Sequence, residues 1–130
     1  MTTHNMERLT PASDLAPIVA LAEAKAHLRV SHLNEDTLIQ RYLEGIADYL
    51  DGYDGSLGRA LRPQSWKLTL DALPCSGAIR LPLVPFVELT DVEYDTCAGD
   101  TFTLEPTTYR VRKDQGFGVI ELRADKTWRR

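Results

Sequence analysis

Apolar positions follow two different periods along this 130-residue chain, and the change from one to the other comes near its middle. Leu21, Ala24, Lys25 and Leu28 fall at helical spacing, and Ala22 to Ala26 are strong helix formers. A short helix is predicted there, ending near Val30. Ser31 to Asn34 breaks the pattern. Asn34 then offers an N-cap, with Glu35 and Asp36 in the first turn, where the helix dipole favours acids. A long helix is expected to follow, to about Tyr53. Its apolar residues are Leu38, Ile39, Tyr42, Leu43, Ile46, Ala47, Tyr49, Leu50 and Tyr53, which form one wide stripe. Glu35, Asp36, Gln40, Arg41, Glu44, Asp48 and Asp51 take the other side. Gly45 in the middle costs about 1 kcal/mol relative to Ala and suggests a close crossing by another element.

Beyond Pro63 the period becomes two. Trp66, Leu68 and Leu70 alternate with Lys67, Thr69 and Asp71, as on a half-buried strand. Ile79 and Leu81 open a second strand, interrupted by Pro82 and Pro85. Val87, Leu89, Val92 and Tyr94 predict a longer one, bulged between Leu89 and Val92. Cys97 to Asp100, with Ala98-Gly99 at its tip, reads as a hairpin turn, and Phe102 and Leu104 as the return strand. Tyr109 and Val111, a turn over Asp114 to Gly118, and Val119, Ile120 and Leu122 complete the series. The predicted fold class is α+β: N-terminal helices, one short and one long, packed on a small antiparallel sheet or meander. Residues 1–18, rich in Thr, Ser, Asn and Pro, read as a flexible N-terminal leader, and 19–130 as a single domain.

Composition adds few constraints and removes several functions. The apolar share of 43% and charged share of 26% are ordinary for a globular protein. No apolar run reaches the roughly 18 residues of a membrane span, and Met1 to Thr10 lacks the apolar stretch of a signal peptide. Synthesis in the cytoplasm is the expectation, with Cys75 and Cys97 reduced there. The net charge of −4 is uneven: residues 1–109 hold 16 acids and 8 bases, residues 110–130 hold 7 bases and 3 acids. An acidic body disfavours general nucleic-acid binding, whereas a basic end suits an acidic partner surface or DNA.

Candidate chemistry is sparse. Asp48, Asp51 and Asp54 sit three apart, the spacing of a helix's last turn, whereas a calcium loop needs oxygen ligands at alternate positions and a later Glu. His32 and Asp36 form a base and carboxylate pair with no signalled nucleophile. Gly116-Phe117-Gly118 does not open a helix as a phosphate loop would. Trp66, Tyr94, Phe102 and Tyr109 are strand aromatics, better explained by packing than by base stacking. Trp128 lies between Lys126 and Arg129, the setting of an interface anchor. No catalytic residue, metal or cofactor is called for.

One ordered set of segments carries a resemblance. It runs from Leu21-Ala22-Glu23-Ala24-Lys25-Ala26-His27-Leu28-Arg29-Val30, through Glu35-Asp36 and the helix to Tyr49-Leu50, to Gly58-Arg59-Ala60-Leu61 and Gln64-Ser65-Trp66-Lys67-Leu68-Thr69-Leu70-Asp71. Ile79-Arg80-Leu81-Pro82, Pro85, Val92-Glu93-Tyr94 and Tyr109-Arg110-Val111 continue it. The succession resembles the head–tail connector (adaptor) family of long-tailed phages, with relatives in prophages and gene transfer agents. The resemblance implies a structural virion protein rather than an enzyme. It would be made in the bacterial cytoplasm and assembled into the particle neck. Copies would form a ring, often a dodecamer, beneath the portal protein, extend the DNA channel and meet a stopper or tail-completion protein. DNA would pass without sequence-specific binding, and no membrane is involved. Family members typically continue past the region of Trp128 with a strand and helices that help dock the ring, a pattern from which this sequence departs.

An acidic body suits a channel through which DNA slides, so Asp48 and Asp51 become candidate channel-facing acids. The long helix and the strand edges are candidate subunit patches. The hairpin from Tyr94 to Phe102 and the tail residues Arg123, Lys126, Trp128, Arg129 and Arg130 are candidate partner-binding elements. The alternatives are a nucleic-acid-binding module using the basic C-terminal tail, and a small ligand-binding or enzymatic domain around His32.

Overall fold

A computed structural model describes residues 4–124 and residue 126. Its order is β1 (His4–Arg8), a 3-10 turn (Ala12–Asp14), α1 (Leu21–Leu28), α2 (Asp36–Leu50), β2 (Trp66–Leu70), β3 (Ala78–Arg80), β4 (Glu93–Asp95), β5 (Thr101–Thr103), β6 (Tyr109–Asp114) and β7 (Phe117–Leu122). The class is α+β, with the helices ahead of most of the strands. Two compact units divide the chain. One spans Met6–Lys67; the other begins at Leu68 and includes the described residues before Met6. Strands β1 and β2, which pair with each other, each run through a boundary.

In the helical unit, α1 stops where Arg29 adopts a left-handed conformation (φ 57°) and its N–H reaches the Ala26 carbonyl. The Val30 N–H then returns to the Lys25 carbonyl at 3.0 Å, closing the helix end without a glycine. The Lys25 ammonium bridges to α2: it donates to the His32 carbonyl at 2.8 Å and pairs with the Asp36 carboxylate. Helix α2 starts two residues after the expected Asn34 cap and ends at Leu50 rather than near Tyr53. Ile39 and Ala47 are its buried residues, with Leu43 and Leu50 half-buried beside them.

The stretch expected to be a flexible leader carries β1 and the 3-10 turn. The Leu9 N–H donates to the Ser65 carbonyl at 2.8 Å, and the Ser65 N–H donates to Thr10 Oγ1 at 2.8 Å. These partners lie more than fifty positions away, so no local pattern announces the strand. A Cβ built at Gly45 meets nothing within 4 Å, so the close crossing expected there is not made within the described residues.

The strand unit centres on an antiparallel sheet of order β3-β7-β6. Ile79 faces Ile120, which faces Val111 on its other side. Ile79, Tyr109 and Ile120 form the buried cluster, against which Leu68, Leu70, Leu81, Leu89, Val92 and Leu104 pack. The middle strand β7 is buried along Gly118-Val119-Ile120, so both of its faces are covered. Gln115 and Gly116, both at positive φ (50° and 88°), make the tight β6–β7 turn. Strands β4 and β5 form a separate hairpin in which Tyr94 stacks on Phe102, ring centres 5.8 Å apart. The long bulged strand expected from Val87 to Tyr94 is reduced to Glu93–Asp95. Leu89 and Val92 still pack on the core, but Val87 is 77% exposed and its stretch joins no ladder among the described residues. Apolar alternation there reflects one-sided burial without pairing.

Candidate functional site

A dense cluster of side-chain hydrogen bonds lies at the C-terminal end of α2. Asp51 follows the last helical turn, its N–H still bonded to the Ala47 carbonyl at 2.9 Å. Its side chain is fully buried. Oδ1 accepts the Leu61 N–H at 2.6 Å, Oδ2 accepts Arg62 Nε at 2.6 Å, and Gln64 Nε2 donates to both oxygens at 2.9 Å. Trp66 Nε1 donates to Gln64 Oε1 at 2.7 Å, locking the amide orientation. Burial pushes the Asp51 carboxyl up, but the hydrogen bonds from Leu61, Arg62 and Gln64 and the charge of Arg62 outweigh it, holding the group below the usual carboxylate value. Gly52 (φ +90°) takes the chain out under the Trp66 ring: a Cβ there would lie 3.1 Å from Trp66 Cζ2.

Asp51 is therefore not a channel-facing acid. With its oxygens taken up by N–H donors, it ties the end of α2 to the segment from Leu61 to Gln64. Asp48, the other acid assigned to a channel wall, does stay exposed, and it accepts Arg62 NH2 at 3.2 Å. Arg62 also reaches the Ala16 carbonyl at 3.3 Å. The Asp48, Asp51 and Asp54 run shares a shallow hollow with Arg8, Gly55 and Trp66. Among the described residues, no group of three His, Cys, Asp or Glu is placed to hold a metal ion. The supposed base and carboxylate pair is not formed either, because Asp36 pairs with Lys25 and His32 contributes its carbonyl to the same ammonium.

The basic end is only partly described. The Arg123 N–H donates to the Thr108 carbonyl at 3.1 Å, and the Lys126 N–H to the Arg123 carbonyl at 2.9 Å. Arg123 lines a surface hollow with Arg110, Leu122 and Ala124. Trp128, Arg129 and Arg130 lie outside the described residues. Arg110 and Arg112 both bind the Glu121 carboxylate across the sheet, at 2.8 Å each for their shortest contacts. Their hydrogen bonds, that from Arg112 first, hold the Glu121 carboxyl below its usual value. Cys75 and Cys97 are exposed free thiols.

A further surface feature is one the pattern of residues only half revealed. The wide α2 stripe is split. Ile39, Leu43, Ala47 and Leu50 turn inward, whereas Leu38 (49% exposed), Tyr42 (64%), Ile46 (58%) and Tyr49 (69%) turn outward. Leu28 and Leu33 are also exposed. The clue was width: nine apolar positions cover roughly twice the ~100° arc that one core-facing stripe needs. The Arg62–Gln64–Trp66 clamp gave no such clue, since its partners are brought together only by folding. Comparison with protein-family models, with curated proteins and with solved structures finds no match.

Proposed function

We propose that this chain is a structural subunit of the head–tail connector kind, acting in the neck of a tailed phage or phage-derived particle. Copies form a ring between the portal protein and the stopper or tail, and the ring extends the DNA channel. The observation that supports the reading best is the outward half of α2. Four large apolar side chains on one surface helix, Leu38, Tyr42, Ile46 and Tyr49, suit a subunit whose surface is covered by other chains. The ordered resemblance from Leu21 to Val111 supplies the kind of assembly. Asp48 remains a candidate for the channel wall; Asp51 does not.

The nucleic-acid reading draws less support from the geometry. Arg110 and Arg112, two of the bases in the basic stretch from residue 110 onward, are engaged by Glu121. The test is electron microscopy of the purified chain, alone and added to portal-bearing particles that lack a neck. Ring-shaped density below the portal is the expected result. Particles that stay bare at micromolar chain concentration, together with a salt-dependent DNA shift, would replace the connector reading by the nucleic-acid one.

A further inference from the structure

We propose that the outward face of α2 pairs with the same face of a second copy, in an antiparallel arrangement about a two-fold axis. This rests on the reading of α2 as an assembly surface and names its occupant in the free chain; a two-fold pair is closed, so it has to open before the same face can join a head-to-tail ring.

The face has a heptad seam. Leu38, Tyr42, Gly45 and Tyr49 are spaced four, three and four apart, so they line one edge of the helix over three turns. All four are exposed, and no described residue lies within 4 Å of where a Gly45 side chain would be. Antiparallel helices meet in layers that pair the first seam position of one with the second of the other. Laid against itself, this seam gives Leu38 opposite Tyr49 of the second copy and Tyr42 opposite Gly45 of the second copy, each twice. Every layer then combines a larger with a smaller residue. The Tyr42 ring enters the hole left by the missing Gly45 side chain. A mid-helix glycine that costs helix stability, and beside whose missing side chain no described residue packs, thereby acquires a packing role.

Charge fits the same orientation. Arg41 and Asp48 both flank the seam on one side, seven positions apart. In an antiparallel pair, residues on the same flank face each other, so Arg41 of each copy meets Asp48 of the other. Arg41 makes no ion pair among the described residues, and the Asp48 carboxylate, 61% exposed, has room for a second cation beside Arg62. A parallel pair would instead stack Tyr42 on Tyr42 and leave Gly45 facing Gly45, wasting the hole. The self-complementary register is what selects a second copy over an unrelated partner.

The seam is short, so the pair is weak and concentration-dependent. The test uses the full chain with Cys75→Ser and Cys97→Ser, followed by sedimentation velocity from about 1 to about 300 µM. The mass should double across that range, and Tyr42→Arg should move the midpoint at least about tenfold higher. Tyr42 is exposed, so an unchanged circular-dichroism melt is expected for that variant. Orientation is read by mixing the Leu38→Cys chain with the Tyr49→Cys chain under mild oxidation. The mixed disulfide should form several-fold faster than either like-with-like product. A monomer throughout the range, or disulfides with no mixed preference, overturns the pairing. A monomeric chain that still builds neck rings overturns the pairing and leaves the connector reading standing. A specific dimer that never joins particles sustains the pairing and sinks the connector reading.

Discussion

Asp51 and Arg62 meet Oδ2 to Nε at 2.6 Å, the carboxylate fully buried and the guanidinium only 9% exposed. The same guanidinium touches Asp48 at 3.2 Å, but that carboxylate is mostly in water. Two aspartates three residues apart thus share one cation in very different surroundings. Burial decides their worth. Breaking a buried pair leaves an uncompensated charge and costs about 3–5 kcal/mol, whereas an exposed pair contributes about 0–1 kcal/mol. Asp51→Ala should therefore lower urea-unfolding stability by about 3 kcal/mol, and Asp48→Ala by less than about 1 kcal/mol. Equal losses for the two variants would contradict the assignment of Asp51 as the anchor.

The same group sets a pH dependence of known sign. The folded Asp51 carboxyl lies below its unfolded value of about 3.9. Its contribution is thus fully present above that value and is lost as pH falls through the lower folded value. Thermal unfolding followed from pH 7 downward should show an acid limb to which Asp51 contributes. In Asp51→Asn, stability at neutral pH should be lower and the acid limb shallower. An unchanged limb in a variant that still folds would show that other carboxylates carry it.

What the residue pattern revealed, and what it did not, divides along one physical line. Features set by local chemistry were legible: the α2 stripe, the Trp66–Leu70 alternation, the Ala98-Gly99 turn and the two strands flanking Gln115-Gly116 all appear where the periods place them. Features that need a distant partner were not. Strand β1 takes its hydrogen bonds near Ser65, and the clamp on Asp51 comes from residues ten to thirteen positions later. Asp51 looked like a surface acid because its position on the helix fits one; only the arrival of Leu61, Arg62 and Gln64 makes it a buried one. The α2 stripe was legible as a helix face, and the long helix as a subunit patch, but which half of the stripe turns outward is set by the packing of the fold.

Gly118 and Phe86 define a tight contact in the strand unit. A Cβ at Gly118 would come within 2.5 Å of Phe86 Cδ2, and the Phe86 N–H is held to the Gly116 carbonyl at 2.8 Å. The ring therefore lies flat on a strand position that must lack a side chain. Gly118→Ala should destabilise by about 1–3 kcal/mol through overpacking. Pairing it with Phe86→Leu should recover part of that loss, because the smaller side chain makes room. Losses that simply add in the double variant would place the strain elsewhere.

Gly45 gives the opposite expectation, and the two glycines together separate packing from conformational freedom. It sits mid-helix with open space where its side chain would be. In a dilute monomer, Gly45→Ala should raise stability by about 1 kcal/mol, since nothing obstructs the methyl and the helix gains propensity. At concentrations where copies pair, the same methyl narrows the hole that receives Tyr42, so the midpoint of association should move upward. Thermal melts at low and high protein concentration therefore have to disagree: a clear gain in the dilute sample, and a smaller gain or a loss in the concentrated one. A gain of equal size at both concentrations would mean that the hole at Gly45 receives nothing.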